Sequence, residues 1–143
     1  MERQDSNNLP PAPTVSALIC TADRGDTIVP AVKSILRPDS ICCELIIVDQ
    51  SNDNRTEEAI RPFLSDARLR YIRTPTRGKG IALNIGLKEA IGEIVAITDD
   101  DCEVCGDWPA CHVRLYRQNP DLVLTYGNVL AANYDPSEGI IPV

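Results

Sequence analysis

One stretch decides both the fold and the search for a site: Ile94-Val95-Ala96-Ile97-Thr98-Asp99-Asp100-Asp101. Its first five residues are apolar or β-branched, which is typical of a short strand covered on both faces in a parallel sheet. Three neighbouring carboxylates repel one another, by about 1 kcal/mol per pair at 4 Å even in bulk water. If the chain stays extended, Asp99 and Asp101 share one side, roughly 7 Å apart, and Asp100 points to the other. That pair suits a hard divalent cation, Mn²⁺ or Mg²⁺, and the alternative is an acidic, solvated turn.

The composition is that of one globular domain. The chain has 143 residues and a net charge of −7, which argues against a nucleic-acid or anionic-membrane surface. No apolar stretch approaches the roughly 20 residues of a membrane span, and the first residues lack the apolar core of a signal peptide. We therefore expect no nucleic-acid partner, no transmembrane segment and a cytoplasmic location, with peripheral attachment at the inner membrane face as a variant.

Six cysteines are many for this length, and four residues in one region suggest zinc. They form a C-x-x-C-x5-C-H pattern at Cys102, Cys105, Cys111 and His112. The second pair lacks the usual ligand spacing, and the chain has a single histidine. The alternative is that these thiols are reduced and pack as small, half-buried apolar groups.

Strands and helices alternate along the chain. Residues 1–13 are polar and then proline-rich, which predicts a flexible lead, and residues 14–143 read as one domain. We expect strands near 15–20, 44–48, 69–72, 93–98 and 122–130, and helices near 26–36, 55–64, 78–91 and 107–118. The third helix should bury an apolar face that includes Leu83, Leu87, Ala90 and Ile91. This order predicts an α/β fold, a Rossmann-like, mostly parallel sheet flanked by helices.

Polar residues follow the predicted strands where each one ends. In a parallel sheet these loops lie at one edge, where they can line a single crevice. The residues are Thr21, Asp23 and Arg24, then Asp49 and Gln50, then Arg77 and Lys79, then Asp99 to Asp101. Arg77 and Lys79 flank glycines at a predicted helix start, a place that favours anions. The crevice would suit a base, a sugar and a metal-bound diphosphate, although neither the phosphate-loop nor the dinucleotide motif is present.

Several segments resemble, in order and spacing, family 2 glycosyltransferases with the GT-A fold. Val15 to Arg24 resembles V-S-V-I-I-P-T-Y-N-R, and Glu44 to Ser51 resembles E-I-I-V-V-D-D-G-S. Gly78 to Gly86 is similar to G-x-x-x-A-R-N-x-G, and Ala90 to Asp101 to A-x-G-E followed by the D-x-D metal motif. The likeness continues at Asp107-Trp108, Tyr126 to Val129 and Gly139 to Pro142, and so covers nearly everything after Thr14.

The resemblance implies a UDP- or GDP-linked sugar donor, a divalent metal, and inverting transfer to an acceptor hydroxyl. It places Thr21 and Asp23 near base and ribose, Asp49 and Gln50 at the base, and Arg77 or Lys79 at the diphosphate, with Arg24 among the donor-binding residues. It places Asp99 or Asp100 at the ribose or sugar, and the metal on Asp101, with Asp99 beside it.

The sequence departs from the family pattern at Cys20, Ala22, Gln50 and Leu83. The acceptor half, with the catalytic base, is expected beyond Val143, so this chain is predicted to hold the donor-binding part of a longer fold. The alternatives are a metal-dependent nucleotidyltransferase and a non-catalytic nucleotide-binding module. A sheet that ends early would expose an edge and favour homo-oligomers.

Overall fold

The computed structural model describes residues 14–131. The four strands are β1 (Val15–Thr21), β2 (Cys42–Asp49), β3 (Leu69–Arg73) and β4 (Ile94–Asp99). The four helices are α1 (Val29–Ile35), α2 (Arg55–Ile60), α3 (Lys79–Glu89) and α4 (Trp108–Gln118). Short 3-10 turns at Gly25–Ile28 and Arg61–Phe63 precede α1 and follow α2. The predicted lead at 1–13 and the motif at Gly139 to Pro142 lie outside the described residues.

The strands form one parallel sheet in the order β3-β2-β1-β4. The chain moves outward from β1 to β3 on one side and then crosses to β4 on the other side of β1. The order therefore reverses at the junction of β1 and β4, and open α/β sheets bind their ligands beyond such a switch point. The predicted α/β fold is confirmed, and β4 delivers its aspartates to this junction.

Alternate residues of the central strand bury themselves on opposite faces of the sheet. Ala17 and Ile19 pack with α1 and α2, whereas Leu18 packs with Ile46, Val48 and helix α3. At β4, the side chains of Ile94 and Ala96 pack against Val113 of helix α4. A strand that is buried on both sides is mostly apolar, which explains the runs Ala17-Leu18-Ile19 on β1 and Leu45-Ile46-Ile47-Val48 on β2.

The predicted apolar face of α3 is correct at Leu83 and Ala90, which pack against the core, and wrong at Leu87 and Ile91. Leu87 is 44% and Ile91 76% exposed, while Ala82 and Gly86 lie buried against the sheet. A Cβ at Gly86 would come within 2.2 Å of the Leu18 Cδ1 methyl, so the helix sits too close for a larger side chain. Ala82 and Gly86 are four positions apart and so lie on the same side of the helix, where their small size allows this close packing. The helix also ends earlier than expected, because Ala90 is already extended.

The predicted strand at 122–130 is also wrong within the described residues, where this segment has no regular structure. Its apolar side chains are exposed, including Val123 at 92% and Tyr126 at 90%. An apolar, β-branched segment becomes a strand only when a neighbour pairs with it, and in the described sheet nothing pairs with this one. No helix among the described residues has the length and apolarity to cross a bilayer.

A buried carboxylate ties the turn between α3 and β4 to the sheet. Glu44 accepts hydrogen bonds from the Ser16 hydroxyl at 2.6 Å, the Ile91 amide at 2.7 Å and the Arg70 guanidinium at 3.3 Å. The Gly92 amide donates to the same serine oxygen at 2.8 Å. Burial alone would raise the pKa of Glu44, but these hydrogen bonds outweigh it and hold the pKa below its ordinary value of 4.5. The ionised carboxylate therefore stabilises the fold.

The Glu44→Gln variant is expected to lower the free energy of unfolding near neutral pH by about 1–3 kcal/mol. Since the pKa of Glu44 is lower in the folded state, its contribution is complete above the unfolded-state pKa and disappears as the pH falls through the folded-state pKa. Urea unfolding across pH should show a shallower acid limb in the variant. The exposed Glu58→Gln is the matched control, and identical pH profiles for E44Q and the unmodified chain would contradict this role.

Candidate functional site

The loops that follow the four strands meet at the carboxyl edge of the sheet, as expected. Thr21, at the end of β1, contacts the acidic turn after β4, and Arg24 reaches the same turn across 77 residues of sequence. On its other side, β1 pairs with β2 up to Thr21 and Asp49. These contacts bring the predicted site residues together at the switch point between β1 and β4.

The acidic triplet forms a turn that separates its side chains. Strand β4 ends at Asp99, and the Cys102 amide closes the turn onto the Asp99 carbonyl oxygen at 3.3 Å. Asp100 is buried and accepts a hydrogen bond from the Thr21 hydroxyl at 2.6 Å. Asp99 and Asp101 are exposed, and ligand atoms of these two residues and Cys102 lie within 4.8 Å of one another. The predicted alternation holds, but the carboxylates come closer than 7 Å because the chain turns instead of staying extended.

Two cationic side chains rest on this acidic turn. Arg24 donates to Asp101 Oδ2 at 2.6 Å and lies 3.6 Å from Asp100, and Lys79 Nζ donates to Asp99 Oδ1. The charge of Asp100 contributes most to raising the pKa of Arg24, and the hydrogen bond to Asp99 raises the pKa of Lys79. Exposed ion pairs of this kind contribute little stability and can exchange partners. The acidic turn therefore attracts positive charge, and the two cationic side chains that it holds are both partly exposed to solvent.

A second group of polar contacts joins the loops after β1, β2 and β3. Asp23 adopts a left-handed backbone with φ of 57°, and its carboxylate accepts from the Asn52 amide at 2.7 Å. The Asp23 amide donates to Ser51 Oγ at 2.8 Å. Arg77 donates to the Gln50 carbonyl oxygen at 2.6 Å and to the Asn52 side chain. These bonds hold the three loops together as one wall at the carboxyl edge of the sheet.

Asp49 and Gln50 are buried under that wall. Asp49 accepts from the Ser51 amide at 2.8 Å and the Tyr71 hydroxyl at 2.6 Å, and burial together with this bond raises the pKa of Tyr71. Gln50 Nε2 donates to Thr76 Oγ1 at 2.9 Å. Neither side chain is exposed to the crevice, so in this structure both act by holding the loops in place. Direct contact of either one with a base stays a prediction.

The predicted zinc pattern does not assemble. Within residues 14–131, the side chains close enough together to hold one metal ion are Asp99, Asp101 and Cys102. The other residues of the cysteine pattern, Cys105, Cys111 and His112, are not part of that group. Cys111 donates to Asp107 at 3.1 Å, and the His112 ring meets Trp108 edge-on at 5.2 Å between centroids. Burial lowers the pKa of His112, as expected for a packed imidazole.

Sequence reasoning missed three contributors to the site. Asn52 links Asp23 to Arg77, Tyr71 anchors Asp49, and Cys102 joins the two exposed carboxylates. Asn52 looked like an ordinary turn residue, and Tyr71 like a strand residue. The position of Cys102 directly after Asp101 was a usable signal, whereas the spacing of the other cysteines indicated a zinc site instead.

The fold matches solved structures of GT-A glycosyltransferases. The mannosyltransferase PcManGT from Pyrobaculum calidifontis, solved with GDP-Man and Mn²⁺, is 30% identical with a TM-score of 0.61, and the match covers 73% of this chain and 32% of that one. TarS from S. aureus, solved with UDP-GlcNAc, is 20% identical with a TM-score of 0.59, over 75% of this chain and 32% of that one. At that identity the likeness supports the fold alone.

The family model for glycosyl transferase family 2 matches residues 16–138, and the chain belongs to this family. The predicted resemblance is thus confirmed. Among curated relatives, the poly-beta-1,6-N-acetyl-D-glucosamine synthase of Staphylococcus epidermidis is 28% identical, over 80% of this chain and 28% of that protein. The succinoglycan biosynthesis protein ExoO of Rhizobium meliloti is 33% identical, over 68% of this chain and 29% of that protein. The chain therefore spans less than a third of the length of these two relatives.

Proposed function

We propose that this chain binds the nucleotide-diphosphate part of a UDP- or GDP-linked sugar, with Mn²⁺ or Mg²⁺ on Asp99 and Asp101, for inverting transfer to an acceptor hydroxyl. One observation supports this most strongly. Two exposed carboxylates, flanked by Arg24 and Lys79, lie at the switch point of a parallel sheet. Family membership and the GDP-Man and Mn²⁺ complex of PcManGT agree with it.

The donor atoms of the acidic turn fit a hard divalent ion. Two carboxylates offer oxygen ligands, both are exposed, and both already hold a positive charge. When bound, such an ion would neutralise charge that develops on the leaving diphosphate. The bond between Thr21 and Asp100 keeps the middle carboxylate inside, so that the two outer ones face the crevice together.

The remaining residues act by positioning. Arg24 and Lys79 can move from the carboxylates to diphosphate oxygens, where a charge-assisted hydrogen bond replaces the one they leave. Asp23 and Arg77, on the wall formed by three loops, lie where base and ribose are predicted. Asp49 and Gln50 keep that wall in place from beneath.

No residue among 14–131 is assigned to the acceptor site or to the catalytic base. The chain matches only part of the length of its relatives, so the complete transfer reaction is proposed for full-length proteins of this kind. The cytoplasmic location of this chain and its self-association stay predictions.

Calorimetry with UDP and GDP, with Mn²⁺ or with EDTA, tests donor binding. We expect at least one nucleotide to bind about tenfold more tightly with Mn²⁺, since the metal offsets repulsion between diphosphate and carboxylates. Uridine and guanosine, which lack the diphosphate, are the controls and should show no metal dependence. Failure of the folded chain to bind either nucleotide in any condition would overturn the proposal.

A further inference from the structure

A groove runs along helix α4 at the amino edge of the sheet. Two open cavities of about 400 and 360 Å³ adjoin there and share Ile41 and Ala110 in their lining. Ile41 directly precedes β2 and is 54% exposed. Val113 of the helix also lines the groove and packs on Val15 and Ile94, the residues that begin β1 and β4. The groove therefore offers an apolar floor at the edge of the sheet opposite the acidic turn.

One end of this groove carries positive charge. Arg114 and Arg117 are three positions apart on α4, so they lie side by side on the helix surface, and both line the groove. Arg114 lies 3.9 Å from Asp107, whereas Arg117 makes no ion pair among residues 14–131. At the other end, Arg37 neutralises the carboxylate of Asp39 at 2.7 Å. The groove thus keeps an excess of positive charge on a chain whose net charge is −7.

The turn between α3 and β4 has the complementary character. Ile91 is 76% exposed there, and Glu93, two residues later, is exposed and makes no ion pair in the described part of the chain. The Ile91 amide donates to Glu44 at 2.7 Å and the Gly92 amide to Ser16 Oγ at 2.8 Å, so the turn is tied to the sheet. An apolar side chain on a backbone that is already held in place loses less freedom when a partner buries it.

The groove and the turn lie at the same edge of the sheet, because Ile91 comes just before β4 as Ile41 comes just before β2. When a surface and its complement share one side of a molecule, two copies can each give and receive the contact, and the assembly closes at two. The carboxyl edge, which holds the candidate site, is not used by this contact.

We propose that the chain forms a two-fold dimer through the amino edge of its sheet. Ile91 of each copy enters the apolar groove of the other, and Glu93 of each copy pairs with Arg117 of the other. This inference goes beyond donor binding and does not depend on it. Burial of the two isoleucines supplies most of the affinity, and the charge pairs at the rim select the partner and its orientation.

Sedimentation equilibrium of the full chain tests the dimer over about 1 µM to 1 mM, the range in which a weak interface dissociates. Ile91→Asp should weaken dimerisation by about 100-fold or more, since each buried isoleucine contributes about tenfold or more and the dimer loses two. Ile81→Asp is the matched control, the same change at an isoleucine that is 50% exposed in the first turn of α3, at the carboxyl edge. It should dimerise like the unmodified chain.

Charge reversal tests the pairing and its symmetry. Glu93→Arg and Arg117→Glu should each weaken the dimer by about tenfold or more, because each variant alone places like charges in both contacts. An equimolar mixture of the two variants should recover the dimer, since one contact then joins the two reversed charges and the other joins the two native ones. A chain that stays monomeric, a dimer that I91D leaves intact, or a mixture that fails to recover would overturn the proposal. Assemblies larger than two copies would overturn its two-fold symmetry.

Discussion

Replacement of Asp101 by asparagine is expected to reduce metal-dependent nucleotide binding by about 100-fold or more. Asparagine keeps the shape of the side chain but removes the charge of one of the two exposed carboxylates that face the crevice. Loss of groups that merely orient metal ligands already costs about 10–100-fold, so loss of a ligand should cost at least the upper value. Calorimetry with Mn²⁺ and whichever nucleotide the unmodified chain binds measures the change.

The matched control is Glu103→Gln, the same chemical change at an exposed carboxylate two residues further along. It should bind metal and nucleotide like the unmodified chain. Equal losses in both variants would show that only the overall negative charge matters. Unchanged binding in D101N would rule out metal ligation by Asp101 and favour a module that binds its partner without a metal.

The Leu18→Ala variant is expected to lower the free energy of unfolding by about 2–5 kcal/mol. Leu18 is fully buried at the centre of the sheet, and its methyl groups fill the space over Gly86 on α3. Gly86→Ala adds volume on the other side of the same contact, because it places a methyl group 2.2 Å from Leu18 Cδ1. The overpacking should lower the free energy of unfolding by about 1–3 kcal/mol. Urea unfolding measures both.

The double variant separates this contact from general core damage. The new methyl at residue 86 occupies space that Leu18→Ala vacates, so the combined loss should fall short of the sum by about 0.5–3 kcal/mol. Gly80→Ala is the control on the same helix, because no atom lies within 4 Å of its added Cβ. That change should stabilise the helix by up to about 1 kcal/mol. Strictly additive losses at residues 18 and 86 would contradict direct packing.

The fold was predictable because local pattern and burial agree along β1 and β2, where every residue of an apolar run packs on one face or the other. The predicted apolar face of α3 was only partly correct, because the side of the helix that approaches the sheet most closely carries the small residues Ala82 and Gly86. Hydrophobic periodicity rewards large residues and cannot detect this. It failed again at 122–130, where the apolar pattern is present but a pairing neighbour is not.

The position of the site was predictable from the sequence, but the hydrogen bonds among its side chains were not. Parallel topology alone brings Thr21, Asp23 and Asp99 to one edge. Which side chains turn inward depends on partners distant in sequence, such as Tyr71 for Asp49, 22 residues away. No local signal encodes such a pair, so the hydrogen bond that holds Asp49 beneath the loop could not be predicted from the sequence.

The hydrogen bond between Thr21 and Asp100 has a consequence for the order in which the molecule forms. It joins residues 79 positions apart, so it can exist only after β1 and β4 have paired around everything between them. Closing so long a loop is entropically costly and slow compared with forming a helix. We therefore expect the acidic turn to acquire its inward and outward carboxylates late in folding. A peptide that carried the three aspartates alone would have their charge but not their arrangement.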